Sequence, residues 1–322
     1  MNIEIYLMSG AGNLFTVIDN RSLLIDEKFV TQNHKLLTEN LLENGLKTEG
    51  IMLLELNTNN TTDDINNIEN KTNYDFVCKF FNPDGSSGMM CGNGGRCISK
   101  FALDKLFPYF FKESQDKNSK LKEFNFFMAG NIYKSIVYKN NYVDLYLPKH
   151  NLIEKRKLKT NNLNENLEFT YINNGSDHSV FFINVETEED FWNFDLLSFA
   201  PEIRNNSMFP NGTNVNIFTL CKDELCKDEL CEDKLLLRTF ERGVEAETGA
   251  CGTGSVATAI TSILDFNLSL PIKIIPTSKS ELTINMIDLP SQPKYEIQDF
   301  DNIQNYILSG SAEYIKNINI EI

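Results

Sequence analysis

Histidine is scarce in this chain of 322 residues, which contains only His34, His150 and His178. Three imidazoles spread over that length do not offer the clustered ligands of a His-rich metal site, and we expect no metal. Basic residues are also in deficit, with 30 lysines and arginines against 45 acidic residues, and the formal net charge is −15. This deficit argues against nucleic acid or an anionic membrane surface as the partner.

Long apolar runs are lacking too, since no run in the sequence approaches the ~20 residues of a membrane-spanning helix. The first seven residues alternate as a strand does, without the basic and apolar regions of a secretory signal. The seven cysteines are an odd set and too sparse for a disulfide scaffold. We therefore expect a cytoplasmic protein whose thiols stay reduced.

The chain is long enough for two domains, each with its own core. Strand-like segments dominate both halves, which favours an α+β fold over an alternating βαβ array. Only four segments have the pattern of a helix: Thr31–Leu42, Cys91–Leu106, Asp190–Asn206 and Cys251–Ser262. The polar stretch from Pro148 to Glu168 lacks clear periodicity and is predicted to be the linker between the domains.

Two short motifs repeat one pattern in opposite halves of the chain. Residues 90–94 (Met-Cys-Gly-Asn-Gly) and 250–254 (Ala-Cys-Gly-Thr-Gly) each place a cysteine before Gly-x-Gly and an apolar run of helical type. A thiol at the start of a helix lies in the positive field of the helix dipole, which favours the thiolate. The glycines leave backbone N–H groups bare, ready to bind a carboxylate. The repetition predicts that Cys91 and Cys251 face one substrate.

Three polar segments are predicted to be solvated insertions: 57–73, 161–168 and 220–234. The last repeats Leu-Cys-Lys-Asp-Glu, with cysteines at 221, 226 and 231. A spacing of five residues does not match the Cys-x₂₋₄-Cys pairs of zinc sites. We interpret this segment as a charged hairpin extension.

The two cysteine motifs belong to a longer series of motifs. In chain order they are Gly-x-Gly-Asn at 10–13, Asn-Pro-Asp-Gly-Ser at 82–86, Met-Cys-Gly-Asn-Gly-x-Arg-Cys at 90–97, Phe-Pro…Asn-Val-Asn at 209–216, and Glu-Arg-Gly-Val…Ala-Cys-Gly-Thr-Gly at 241–254. This series resembles the diaminopimelate epimerase family, from Gly10 to a tail at 310–313. The resemblance implies a cofactor-independent epimerase that inverts one α-carbon of LL-diaminopimelate to give the meso isomer.

The resemblance also implies an architecture of two similar domains, each a mixed β-sheet or barrel wrapped around a central helix, with the active site between them. We expect residues 1–149 to form the first domain, completed by the C-terminal strand 307–322, and residues 150–306 to form the second. A homodimer is implied, with diaminopimelate as the small-molecule partner.

By the same resemblance, Cys91 and Cys251 are the catalytic acid and base. Inversion needs a base on one face of the α-carbon and an acid on the other, and a thiolate and a thiol meet that need. The planar fork of an arginine suits a carboxylate, and a glutamate suits an ammonium group. The expected substrate-binding residues are Asn13, Asn82, Gly92, Asn93, Asn214, Glu241, Arg242, Gly252 and Thr253.

Four residues depart from what the family usually has: Ser9, Leu14, Glu49 and Asp177. They bear on substrate affinity and rate, since none removes an indispensable group. Ser176 is in the position of a family asparagine, and Asp177 replaces a proline.

Three other interpretations remain open from the sequence. A related racemase of proline or hydroxyproline shares the paired cysteines, although Asn93 and the block 241–243 favour diaminopimelate. A related isomerase group shares the fold but lacks the cysteine pair. From another class, the chain could be a thiol-based redox sensor or a metal-binding module. Asn13, Asn82 and Asn214 could each be turn residues or helix caps.

Overall fold

The computed structural model describes residues 2–39, 41, 45, 47–56, 74–88, 90–108, 119–159, 166–221, 234–289, 292 and 294–321, without the side chain of residue 166. The insertion predicted at 57–73 lies outside these ranges, as do 161–165 and 222–233 of the other two. Over the described ranges, none of the helices is both long and apolar enough to cross a bilayer.

Strands make up most of the regular structure, as the sequence predicts. They are β1 Asn2–Gly10, β2 Asn13–Asp19, β3 Ile51–Leu56, β4 Phe76–Phe81, β5 Lys120–Met128, β6 Asn131–Tyr138, β7 Tyr142–Pro148, β8 Leu152–Lys159, β9 Asn166–Asn173, β10 Asp177–Phe182, β11 Asn214–Leu220, β12 Lys234–Glu241, β13 Ala246–Thr248, β14 Ile272–Ile275, β15 Leu282–Met286 and β16 Asn305–Glu321. The helices are α1 Glu27–Thr38, α2 Gly92–Leu106, α3 Glu188–Asn193, α4 Leu196–Arg204 and α5 Gly252–Phe266, and Ile297–Asn302 form a 3₁₀ turn.

The chain divides into two compact units, Met1–Tyr146 with Ser309–Ile322, and Leu147–Leu308. In the first unit, β1 to β7 are neighbours in chain order, and β16 lies beside β7 and pairs antiparallel with β1. The ring of eight strands is mixed, since β2–β3 and β4–β5 are parallel pairs. Helix α2 lies inside the ring, and its residues from Gly92 to Leu103 are all buried. The helix is buried all round, and its polar side chains Asn93, Arg96 and Lys100 are buried together with its small and apolar ones.

The second unit repeats this plan with a different strand order. Its sheet runs β8-β9-β10-β11-β12-β14-β15, with β13 attached to β12. The sheet is mixed, because β10–β11 and β12–β14 are parallel. Helix α5 is buried from Gly252 through Ile263, apart from Thr253, and packs against β10, β11, β12 and β15. The prediction of an α+β fold in which each unit wraps a mixed sheet around a central helix is confirmed.

The linker predicted from Pro148 to Glu168 is wrong. Residues 152–159 form β8, which pairs antiparallel with β9 along its whole length. The charged side chains hid the strand pattern in the sequence, since lysines, an arginine and a glutamate occupy the positions between Ile153 and Leu158. An edge strand solvated on one side can carry such charges and still pair through its backbone.

The helix predicted over Asp190–Asn206 is two short helices instead. Thr187 caps α3 in a reciprocal capping box with Asp190, and Asp195 caps α4 by accepting from the N–H of Ser198 at 3.0 Å. Two N-caps eight residues apart start two helices. The apolar periodicity of the sequence continues from one helix into the next and does not reveal the interruption between them. Helix α1 similarly begins four residues earlier than predicted, at the residue after its cap Asp26.

Candidate active site

The two motif cysteines are N-caps of the two central helices. Their backbone angles agree closely, with φ −114° and ψ 117° at Cys91 and φ −110° and ψ 113° at Cys251. The Sγ of Cys91 accepts from the N–H of Gly94 at 3.4 Å, and the Sγ of Cys251 accepts from the N–H of Gly254 at 3.4 Å. Each sulfur therefore lies against the positive end of a helix and receives a hydrogen bond there, which favours the thiolate.

The third residue of each central helix is a glycine in a crowded position, more so at Gly254 than at Gly94. A side-chain carbon at Gly254 would lie 2.4 Å from Asn216 Oδ1 and 3.2 Å from the Sγ of Cys251. At Gly94 it would lie 3.3 Å from Met52 Sδ. Glycine thus lets each helix bring its first N–H groups up to the thiol without a side chain in between.

Asn13 lies beside the start of α2. Ala11 and Gly12, both with positive φ, form a two-residue turn, and Gly10 pairs with Asn13 across it. A side-chain carbon at Gly10 would come within 2.7 Å of the backbone oxygen of Asn93, so this hairpin touches the first turn of the helix. The structure thereby brings Asn13, Cys91, Gly92 and Asn93 together at one end of the ring of strands.

Asn82 lies in the turn that follows β4. Its backbone N–H donates to Ser86 O at 2.9 Å, and its Nδ2 donates to Ser86 Oγ at 3.0 Å. The ring of Phe80 connects this turn with the helix, because it is the neighbour that an added carbon would meet at both Gly88 and Gly94. Asn82 is therefore a turn residue near the motif, and its side chain bonds within its own turn.

Arg96 is a residue of this unit to which the sequence analysis assigned no role. Its guanidinium is fully buried, and Nη2 donates to Asn93 Oδ1 at 2.9 Å. Its Nε and Nη1 have no hydrogen-bond partner among the residues that the structure describes. Burial lowers the pKa of Arg96 to about 10. A buried cation that reaches back to the first turn of α2 was signalled only by its place in the first cysteine motif.

Cys251 in the second unit has an acidic neighbour. Glu241, the last residue of β12, is hydrogen-bonded to the Cys251 thiol and accepts from Thr248 Oγ1 at 2.5 Å. Burial raises the pKa of Glu241, and these two hydrogen bonds oppose that rise. Glu241 is thus placed to exchange a proton with Cys251. The sequence analysis had paired it with an ammonium group.

Arg242 and Asn214 belong to one polar network. The backbone N–H of Arg242 donates to Asn214 Oδ1 at 2.8 Å, and Asn214 Nδ2 donates to the backbone oxygen of Asp177 at 2.9 Å. The Arg242 guanidinium forms an ion pair with Asp177, with Nη1 and Oδ2 3.0 Å apart. Asn214 therefore connects the backbones of two strands, β10 and the end of β12.

Thr253 ties the start of α5 to a buried histidine. His178 Nε2 lies 2.9 Å from Thr253 Oγ1 and 2.7 Å from Ser176 Oγ. Its Nδ1 lies 3.1 Å from Asn216 Nδ2. Since an amide nitrogen can only donate, Nδ1 accepts and the neutral ring carries its proton on Nε2. Burial lowers the pKa of His178 to about 3, so the ring stays neutral.

This burial makes folding stability depend on pH. The folded-state pKa of His178 lies below the ordinary 6.5, so the unfolded chain takes up a proton first as the pH falls. The free energy of unfolding should therefore fall between pH 6.5 and 3, by about 2 kcal/mol down to pH 5. Urea unfolding at pH 7 and pH 5 measures it. His178→Gln should lose this part of the pH dependence, and an unchanged dependence in the variant would contradict the assignment.

The remaining described thiols have different surroundings. Cys78 and Cys97 are buried, and burial raises the pKa of both. Cys221 donates to Glu188 Oε1 at 2.7 Å. Among the residues that the structure describes there is no group of three or more histidine, cysteine or acidic side chains placed to hold a metal ion.

The site residues fall into two groups, one in each unit. Asn13, Cys91, Gly92 and Asn93 meet at the start of α2, with the turn of Asn82 nearby. In the second unit, Glu241 contacts Cys251 at the start of α5, where Gly252 and Thr253 follow, while Arg242 and Asn214 bond to each other.

Comparison with known proteins finds relatives of this chain. A family model described as diaminopimelate epimerase matches residues 170–288. The diaminopimelate epimerase of Chlorobaculum tepidum is 33% identical over 79% of this chain and 81% of its own length. That of Aquifex aeolicus is 32% identical over 88% and 90%, and that of Flavobacterium psychrophilum is 26% identical over 97% and 98%.

Solved structures share the fold at much lower identity. A phenazine biosynthesis protein of the PhzF family from Bacillus anthracis is 11% identical, with a TM-score of 0.65 and full coverage of both chains. A probable proline racemase from Agrobacterium radiobacter is 12% identical, with a TM-score of 0.62 over 99% of this chain and 93% of that one. With the fold, the matched pair of N-cap cysteines and relatives of this similarity over most of its length, the chain belongs to the diaminopimelate epimerase family of isomerases.

Proposed function

We propose that this protein interconverts LL-2,6-diaminopimelate and meso-diaminopimelate by two-base proton transfer between Cys91 and Cys251. The observation that carries the proposal is the near-identical N-cap geometry of these two cysteines, in a chain of this family. The product would serve lysine and peptidoglycan precursor synthesis. We also propose a cytoplasmic homodimer, with two epimerase domains formed by 1–149 with 307–322 and by 150–306.

The chemistry requires the two thiols to approach the α-carbon from opposite faces. One enters as a thiolate and removes the α-proton, and the other enters as a thiol and returns a proton to the other face. Exchanging their protonation states runs the reaction backwards. The helix dipole and the N–H of the third helical residue stabilise whichever sulfur is the thiolate.

The α-proton of an amino acid is weakly acidic, so the carbanion needs electrostatic support. In this proposal the carboxylate on the reacting carbon receives hydrogen bonds from the first N–H groups of both central helices, at Gly92, Asn93, Gly252 and Thr253. Such oriented donors need no reorganisation as charge develops on the carboxylate. The reaction then needs no cofactor as an electron sink.

Glu241 supports the second thiol. Its hydrogen bond with Cys251 lets the carboxylate take the thiol proton when Cys251 must act as the base. The remaining polar residues, Asn13, Asn82, Asn214 and Arg242, would bind the rest of the substrate. Arg242 suits the second carboxylate of diaminopimelate because a guanidinium can bind a carboxylate through two parallel hydrogen bonds.

Reduced protein incubated with LL-diaminopimelate in D₂O tests the proposal. Stereoisomers are separated by chiral chromatography, and α-deuterium is read by mass spectrometry. We expect meso product that carries deuterium at the inverted carbon, because the returned proton comes from a thiol that has exchanged with solvent. L-Proline and trans-4-hydroxy-L-proline, tested in the same assay, should give neither inversion nor exchange. Exchange on those substrates instead would assign the chain to the racemase activity.

A further inference from the structure

Asp177 is one of the residues that depart from the usual family pattern, and its carboxylate accepts three hydrogen bonds. Its Oδ1 accepts from Asn173 Nδ2 at 2.9 Å and from the hydroxyl of Tyr171, while its Oδ2 accepts from Arg242 Nη1 at 3.0 Å. Burial and the bond to Asp177 raise the pKa of Tyr171 to about 12. Tyr171 and Asn173 on β9 therefore fix this carboxylate in place.

The carboxylate keeps one acceptor position. An ionised carboxylate offers about four lone-pair sites. Two on Oδ1 are used by Tyr171 and Asn173, and one on Oδ2 is used by Arg242. Over the ranges that the structure describes, Oδ2 receives no second hydrogen bond. Since 18% of the side chain is exposed, an N–H donor from outside can reach it.

Arg242 presents a complementary edge. Its Nη1 donates to Asp177 and to the backbone oxygen of Asn211 at 3.2 Å. Its Nε and Nη2 make no hydrogen bond to the described part of the chain, and 23% of the side chain is exposed. Four other arginines bind a carboxylate by this same Nε–Nη2 edge: Arg21 binds Asp19, Arg156 binds Glu154, Arg204 binds Glu245, and Arg238 binds Glu247.

Asn214 holds the two charged residues in register. It accepts from the backbone N–H of Arg242 and donates to the backbone oxygen of Asp177. The anion and the cation are therefore adjacent and fixed from both the backbone and the side-chain ends. Such a pair matches an α-amino acid, whose ammonium and carboxylate groups are attached to one carbon.

We propose that Asp177 binds the ammonium group of the amino-acid centre that does not react, while Arg242 binds its carboxylate through the Nε–Nη2 edge. This rests on the proposed function, because only a substrate with a second zwitterionic centre needs such a site. Asp177 then determines specificity: it favours diaminopimelate over a seven-carbon dicarboxylic acid that has a single amino group.

The test compares Asp177→Asn with the wild-type chain on two compounds. The Michaelis constant for LL-diaminopimelate is measured by deuterium exchange, and the inhibition constant of L-2-aminopimelate, which lacks the second ammonium, is measured by competition. We expect the variant to raise the Michaelis constant about 10-fold or more, as for a lost hydrogen bond to a charged group. The turnover number and the inhibition constant should change less than about 3-fold.

Tyr171→Phe is the matched control, because it removes a bond to Asp177 and keeps the carboxylate. It should preserve the ratio of the two constants. The inference is overturned if Asp177→Asn weakens the binding of both compounds equally, because that result means that Asp177 only holds Arg242 in position. It is also overturned if the variant binds diaminopimelate more tightly, because that result means that Asp177 competes with the substrate for Arg242. Wild-type protein that exchanges no α-proton would instead contradict the proposed function.

Discussion

Replacing either Cys91 or Cys251 with alanine is expected to lower the turnover number for epimerisation by about 10³-fold, within the range for loss of a positioned acid or base. In the proposed mechanism each thiol serves one face of the α-carbon, so losing either one leaves inversion without a donor or without an acceptor. Each thiol also receives one hydrogen bond from its helix, at 3.4 Å in both cases. In a serine variant the hydroxyl oxygen can still accept a hydrogen bond from that N–H, but the hydroxyl does not ionise readily. The serine variants should therefore be equally inactive.

The measurement is the rate of meso formation from LL-diaminopimelate, with circular dichroism to confirm folding. Cys221→Ser is the matched control, since Cys221 bonds to Glu188 and belongs to neither helix start. It should keep wild-type turnover under reducing conditions. An alanine variant at 91 or 251 with a wild-type rate would refute the two-thiol mechanism.

Replacing Glu241 with glutamine should lower kcat/KM about 10²-fold. A glutamine of the same shape can still accept from Thr248, but it cannot take the proton of Cys251. Because burial raises the pKa of Glu241, its carboxyl titrates closer to neutrality than an exposed one, where proton transfer is efficient. Removing that group should change the pH dependence of kcat/KM, and the loss should be equal in both directions because a catalyst does not alter the equilibrium.

Initial rates from LL-diaminopimelate and from the meso isomer, measured across pH, test this expectation. Glu245→Gln is the control, because Glu245 lies in the turn after β12 and pairs with Arg204 at 2.7 Å, away from Cys251. It should leave both the rate and the pH profile unchanged. A Glu241→Gln enzyme with the wild-type pH profile would assign Glu241 a purely structural role.

The central helices and most strands were predictable from local pattern. Helix α2 begins one residue after the predicted start at Cys91 and ends at Leu106, and α5 begins directly after Cys251. These boundaries were accurate because cysteine before Gly-x-Gly is a signal confined to a few residues. The segment 152–159 was missed for the opposite reason: its pairing with β9 depends on backbone hydrogen bonds that charged side chains do not reveal.

The candidate site shows the same contrast between what local motifs reveal and what only the fold reveals. Residue type and spacing identified the two thiols, the glycines that expose backbone N–H groups, and the Glu-Arg block, because each of these requires a particular residue at a particular position. The partners of those residues came from strands distant in the chain. Asp177, which pairs with Arg242, lies 65 residues from it in the chain. Arg96 was part of the first cysteine motif, but the sequence did not predict its hydrogen bond to Asn93.

Glu241 shows most clearly how the fold changes the interpretation of a residue. From sequence it suited an ammonium group, whereas in the fold its carboxylate meets the Cys251 thiol and is partly buried. Local chemistry was enough to identify the family and the α+β class, and it singled out the two cysteines that the proposed mechanism uses. The protonation of Glu241 and His178, and the pairing of Asp177 with Arg242, depend on which side chains the sheet brings together and on how much water it excludes.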